Sequence, residues 1–149
     1  MRLTLRILSL LLVLSVTSTA LGASQRKVPA YEKYIKQYSS LAIQHQKKYR
    51  IPASITLAQG LLESGAGRSE LARKSNNHFG IKCKRNWTGD KVYYDDDAKG
   101  ECFRSYPSVE ASYRDHAEFL DSQPRYDSLF AYSSDDYKSW ARGLKAAGY

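Results

Sequence analysis

Glu63 is the first residue whose type and setting could do chemistry. It closes an apolar run, Leu61-Leu62, and is followed at once by Ser64-Gly65-Ala66-Gly67. A carboxyl at the end of a buried helix that opens on a cleft is partly desolvated. Desolvation disfavours the charged form and makes the group a useful proton donor near neutral pH. Glycines at 65 and 67 would let a bulky partner come close to the backbone. By local pattern alone, an ordinary helix-end glutamate looks the same. The run Asp95-Asp96-Asp97 is a second concentration of acid groups. Adjacent carboxylates repel, so one can titrate high while the others stay ionised; the same run also suits a solvated turn or an ion site. His45, His78 and His116 have no metal-ligand spacing, and no Ser or Cys joins them in a nucleophile motif. Neither a metal nor a cofactor is expected.

The two cysteines, Cys83 and Cys102, must be read with the start of the chain. Arg2 and Arg6 precede an apolar stretch over residues 7–16, and small residues cluster over 18–23. That is the pattern of a secretory signal peptide, and its apolar part is shorter than the roughly 20 residues a bilayer span requires. Residues 1–23 are therefore expected to be removed, and residues 24–149 to form one domain with its own core. Export to the periplasm or cell surface puts the cysteines in an oxidising compartment, where they are expected to pair. The formal charge is +8, and only two of those charges lie in the leader. A basic exported protein suits an acidic polymer such as a cell wall or an anionic glycan. Export, and the lack of a Lys/Arg run on a recognisable reading element, argue against nucleic acid. No membrane attachment is expected after cleavage, and the domain is expected to act as a monomer.

These groups need elements to hold them. Tyr31, Tyr34, Ile35, Tyr38, Leu41 and Ala42 recur at helical spacing and predict a first amphipathic helix, which Arg50-Ile51-Pro52 ends. A second, apolar helix should bury Ile55, Ala58, Leu61 and Leu62 and finish near Glu63, with a short helix over residues 69–75. Between residues 80 and 106, β-branched and aromatic residues alternate with turn formers, which predicts a small antiparallel lobe. A disulfide between Cys83 and Cys102 would staple that lobe, which is too small to be stable alone. Helical spacing returns after Pro107, with Ser108 as N-cap and Val109, Ser112, Tyr113, His116, Phe119 and Leu120 on one face. Residues 123–126 read as a break. A last helix is expected, capped by Asp135 and carrying Tyr137, Trp140, Ala141 and Leu144. The fold class is α+β, mostly helical, with a cleft between the helices and the lobe.

Several short strings then point the same way. Ala58-Gln59-Gly60-Leu61-Leu62-Glu63-Ser64-Gly65-Ala66-Gly67 resembles the catalytic helix of glycoside hydrolase family 73, the bacterial N-acetylglucosaminidases of the flagellar-muramidase and autolysin type. Asn77-His78-Phe79-Gly80-Ile81-Lys82 is similar to that family's Asn-x-Phe-Gly-x-Lys motif. Cys102-Phe103-Arg104-Ser105-Tyr106 resembles its Phe-Arg-x-Tyr strand, and Pro124-Arg125-Tyr126 its Arg-Tyr turn. Each string is unspecific alone; their order, with the glutamate, makes chance agreement improbable.

The resemblance implies a lysozyme-like fold and metal-independent hydrolysis of peptidoglycan, at the β-1,4 bond between N-acetylglucosamine and N-acetylmuramic acid. Glu63 matches the general acid. Asn77 and Phe79 match positions lining the sugar groove, where an amide can bond an acetamido group and a ring can face a pyranose. Tyr94 and Tyr149 are expected as further substrate contacts, Tyr149 in a Gly-Tyr segment that approaches the groove in the family. Two departures stand out. Many relatives place a second glutamate near the first lobe strand, where this chain reads Val92-Tyr93-Tyr94-Asp95-Asp96-Asp97. The second catalytic group is then Asp95 or Asp96, or else the substrate's own acetamido oxygen. The family also continues past Gly148-Tyr149 with another helix, so the domain is expected to lack that helix and Tyr149 to fray. The alternatives are a muramidase or lytic transglycosylase on the same scaffold, cutting the other glycosidic bond, and a wall-binding module without activity.

Overall fold

The computed structural model describes residues 28–149; the expected signal peptide lies outside them. Among the described residues there are five α-helices and one small sheet: α1 (Pro29–Tyr49), α2 (Ala53–Glu63), α3 (Glu70–Ser75), β1 (Lys91–Tyr94), β2 (Glu101–Arg104), α4 (Val109–Ser122) and α5 (Tyr137–Ala146), with a 3-10 helix over Pro124–Ala131 before α5. The mostly helical α+β class is as expected. Among the described residues, no helix is long and apolar enough to cross a membrane.

Local chemistry sets the boundaries. Pro29 opens α1, Lys47 and Lys48 sit at its negative C-terminal end, and Arg50 leaves it at φ 64°. Ser69 caps α3 by accepting from the Ala72 amide, and Ser108 caps α4 by accepting from the Ala111 amide. The cap of α5 is Asp136, which accepts from Ser139 N at 3.1 Å, not Asp135. Asp136 is the residue immediately before α5, and a cap side chain accepts from the second or third amide of its helix, here that of Ser139. Residues 123–126 do not merely break the chain. They lead into the 3-10 helix, which buries Tyr126 and Leu129.

The core has two parts, with α2 between them. Ile51, Ile55, Leu120, Tyr126, Leu129, Trp140 and Leu144 fill one; Tyr34, Ala42, Leu61, Phe79, Ile81 and Tyr113 fill the other. The inward face of α2 carries Ile55, Thr56, Gly60 and Leu61. Ala58 and Leu62 are exposed, Leu62 by 71%, against expectation. Leu62 lies seven residues beyond Ile55, nearly on the same side of the helix. That side is covered at Ile55 and open where α2 emerges. On α1 likewise, Tyr34 and Ala42 are buried while Tyr31 and Ile35 reach solvent.

Gly60 is the point of closest approach between α2 and its neighbours. A Cβ there would lie 2.5 Å from the Tyr34 hydroxyl and 3.3 Å from the Phe79 ring. Tyr34 cannot easily yield, because its hydroxyl accepts from Tyr113 at 2.8 Å and pairs with His78 Nδ1 at 2.9 Å. Helix propensity alone favours Ala over Gly by about 1 kcal/mol, whereas overpacking a core costs about 1–3 kcal/mol. Gly60→Ala is therefore expected to lower the melting temperature; a rise would show that the tyrosine pair is free to move.

The lobe is a single antiparallel hairpin, pairing Lys91 with Arg104 and Tyr94 with Glu101, and an isolated bridge from Lys82 to Phe103 extends it. The disulfide joins Cys83 to Cys102, whose backbones also bond, Cys83 N to Cys102 O at 2.8 Å. At the other extremity Tyr149 is not frayed. Gly148, at φ 78°, donates to Lys145 O at 3.2 Å, and Tyr149 N donates to Leu144 O at 3.1 Å. That pair of bonds is the Schellman ending of α5, and it turns Tyr149 back onto the body.

Candidate active site

Glu63 is the last residue of α2, and the turn behind it is tightly tied. Ser64 Oγ donates to Gly60 O and accepts from Gly67 N at 2.7 Å, while Ala66 N bonds Leu61 O at 2.7 Å. Gly65, Ala66 and Gly67 all hold positive φ, at 56°, 59° and 75°, a conformation that glycine adopts without strain. The glutamate as a whole is exposed, but its carboxyl is half-buried. Burial pushes the carboxyl above the usual range, and the negative charge of Asp96 pushes it further in the same direction.

The second wall begins at Asn77. Its amide nitrogen donates to Ile81 O at 3.0 Å and Arg104 O at 2.9 Å, and its oxygen accepts from Phe79 N and Ile81 N. At 1% exposure and with both ends of the amide engaged, Asn77 does not offer a sugar the hydrogen bonds expected of it. It ties the 77–81 loop to β2. That loop brings Gly80, at φ 60°, so close that a Cβ there would lie 3.7 Å from Glu63 Oε2. Phe79 does line the cleft, but as a nearly covered floor, 3% exposed and stacked on His116 at 3.9 Å. Burial drives the His116 imidazole down to about 3, so at neutral pH it is an uncharged support.

The lobe supplies the third wall. Asp96 and Asp97 line the same cleft of about 530 Å³ as Glu63. Asp95 and Tyr94 do not line it. Asp95 Oδ1 caps the hairpin turn by accepting from Gly100 N at 2.7 Å, and Tyr94 turns the other way, its hydroxyl beside Glu70 of α3. Alternation along the strand and closure of the turn decide which of these neighbours faces the cleft. Asp96, Asp97 and Glu101 are the one group among the described residues whose carboxylates crowd closely enough to hold a metal. Lys82 already sits among them, with Nζ at 3.4 Å from Asp96, 3.0 Å from Asp97 and 3.0 Å from Glu101. An ammonium thus supplies the positive charge such a group calls for.

Tyr149 closes the cleft from the helical side, beside His116 and Tyr126 at ring distances of 6.0 and 6.3 Å. Burial first, and then the charge of Glu63, raise its phenol, so Tyr149 and the glutamate feel one another. Lys82, Lys84, Phe119 and Arg125 also line the space, and none of them stood out in the sequence as a site residue. Lys82 and Arg125 do fall inside the quoted strings; Phe119 was hidden in the periodicity of α4. A half-buried carboxyl with a raised pKa, facing a lobe carboxylate across an open cleft, is equipped to protonate one side of a polar bond and stabilise positive charge on the other.

Residues 39–149 match the glucosaminidase family, described as mannosyl-glycoprotein endo-beta-N-acetylglucosaminidase. The chain is 33% identical to the peptidoglycan hydrolase FlgJ of Vibrio parahaemolyticus over 83% of its own length, and spans 43% of that protein. It is also 33% identical to the exo-glucosaminidase LytG of Bacillus subtilis, covering 69% of this chain and 40% of LytG. Among solved structures, a peptidoglycan hydrolase from Sphingomonas sp. A1 superposes with a TM-score of 0.69 at 31% identity, over 79% of this chain and 78% of that one. The glycoside hydrolase domain of Salmonella typhimurium FlgJ gives 0.64 at 26% identity, over 80% and 77%. With most of its length matched in sequence and fold, the chain belongs to the glucosaminidase family, glycoside hydrolase family 73.

Proposed function

We propose that the chain hydrolyses peptidoglycan at the β-1,4 bond between N-acetylglucosamine and N-acetylmuramic acid, with Glu63 as general acid. The observation that carries this reading is the half-buried Glu63 carboxyl, raised by burial and by Asp96, at the edge of the cleft. A pKa raised above the usual carboxylate range favours the protonated form that a general acid presents to the glycosidic oxygen. As that bond breaks, the sugar ring gains oxocarbenium character, and we assign the facing role to Asp96, which lines the same cleft. A wall substrate puts the work outside the cytoplasmic membrane. The test is a digest of purified peptidoglycan with mass spectrometry of the products. New reducing N-acetylglucosamine ends are expected; reducing muramic acid or anhydro-muramic ends would replace this reading with muramidase or lytic transglycosylase chemistry, and binding without products would leave a wall-binding module.

Asp96 separates two routes through the second half of the reaction. If it is the facing anion or base, Asp96→Asn is expected to lower turnover at least about ten-fold, whereas Asp95→Asn, in the hairpin turn, changes it little. Asp96 also raises Glu63. Removing its charge therefore lowers the Glu63 pKa, and the alkaline limb of the pH–rate profile, where the acid loses its proton, moves to lower pH. Turnover within a few-fold of the parent would shift the role to the substrate's acetamido oxygen.

A further inference from the structure

The cleft is electrostatically lopsided in a way that glycosidic bond cleavage does not require. Three cations line it: Lys82, Lys84 and Arg125. Lys82 is consumed by the lobe carboxylates. Lys84 and Arg125 have no ion pair among the described residues. Lys84 Nζ bonds only a neutral amide oxygen, Gln123 Oε1, at 3.2 Å. Both cations are instead held on one aromatic ring, Lys84 at 4.9 Å and Arg125 at 5.8 Å from the centre of Phe119, and Arg125 also lies 4.6 Å from the Tyr126 ring. Stacking directs these side chains along the cleft, and their hydrogen-bond partners, Gln123 and Tyr126, are neutral, so both charges remain without an anionic partner among the described residues. On the α4 side of the cleft, then, two oriented cations wait for an anion that the protein does not supply.

A chain of neutral acetamido sugars has nothing to offer them. Muramic acid does: its lactyl ether ends in a carboxyl, which is either free or extended by a stem peptide bearing further carboxylates. Resting on the hydrolase reading, we propose that Lys84 and Arg125 form a carboxylate-binding subsite that selects acid-bearing wall glycan over neutral chitin-like chains. Arg125 offers its planar fork to a carboxylate, Lys84 adds a point charge, and Phe119 supplies the apolar floor beneath them.

Binding of the full chain in a Glu63→Gln background, so that no ligand is consumed, tests this without relying on turnover. Three oligosaccharides of equal length serve as probes: stem-bearing glycan, stem-free glycan with the free lactyl carboxyl, and chitin oligomer. At low salt, acid-bearing glycan is expected to bind about ten-fold tighter than chitin oligomer, a gap of about 1.4 kcal/mol. The preference should shrink as salt rises and disappear when Lys84→Gln and Arg125→Gln are added. If stem-free glycan keeps the whole preference, the lactyl carboxylate is the ligand; if only stem-bearing glycan shows it, the peptide is. Lys84→Arg with Arg125→Lys keeps the charges and should retain most of the preference, which guards against a mere packing defect. Equal binding of all three probes, or a preference that survives both the glutamine changes and high salt, overturns the subsite. Failure of the hydrolase reading shows separately, as a preference intact in binding while the parent protein releases no new reducing ends.

Discussion

Replacing Glu63 with glutamine is expected to leave the fold intact and to lower turnover on purified peptidoglycan by about 10²–10⁴-fold, the contribution of a positioned general acid. Glutamine keeps the shape of the side chain and removes only the transferable proton. The helix end that holds it does not depend on the carboxyl, because the turn behind is tied by Ser64 and backbone bonds. Stability should move opposite to activity. A carboxyl whose folded pKa lies above its unfolded value is stabilising while protonated, and that contribution is lost as pH rises through the folded pKa. At neutral pH the glutamine variant should thus melt no lower than the parent, with any advantage vanishing in acid. Circular dichroism melts at several pH values, beside reducing-end assays, check both halves. Near-parent turnover in a folded variant would remove Glu63 from the mechanism.

The second large effect concerns the lobe. A two-stranded hairpin is marginal alone, and here four-residue strands carry two of the cleft carboxylates on their connecting turn. The Cys83–Cys102 bridge spans 19 residues of sequence, and closing a loop of that size restricts the unfolded chain by about 3 kcal/mol. Replacing both cysteines with alanine is expected to lower stability by about that amount, read as a shift in the urea midpoint, and reductant should have the same effect on the parent. Activity should fall further than global stability accounts for, because Lys82 and Glu101, which hold the acid cluster, are the immediate neighbours of the bridged pair. Coincident denaturation curves would show that the backbone ladder holds the lobe unaided.

The parts of this site legible in the sequence were those set by local chemistry. An apolar run, a glutamate and a glycine turn describe the end of α2 wherever it packs, and turn formers around β-branched residues describe a hairpin. The errors arose where a side chain's direction depends on distant partners. Asn77 reads as a polar loop residue, yet one of its ligands is the carbonyl of Arg104, 27 residues on. Leu62 reads as buried from its periodicity, which cannot tell where the body that covers α2 stops. Asp95 and Asp96 are chemically alike, and only closure of the hairpin assigns one to the turn and the other to the cleft. Phe119, Lys84 and Arg125 meet through tertiary packing alone, so no window of sequence shows them together.

The cleft has one further consequence, which concerns the order of synthesis. Its walls come from Glu63, the 79–84 loop, Asp96 and Asp97, the end of α4 with the 3-10 helix, and finally Gly148 and Tyr149. Tyr149 reaches its place only through the helix ending that it completes itself, by donating to Leu144. A ribosome that has passed the glutamate has therefore made the acid but not the enclosure that desolvates it.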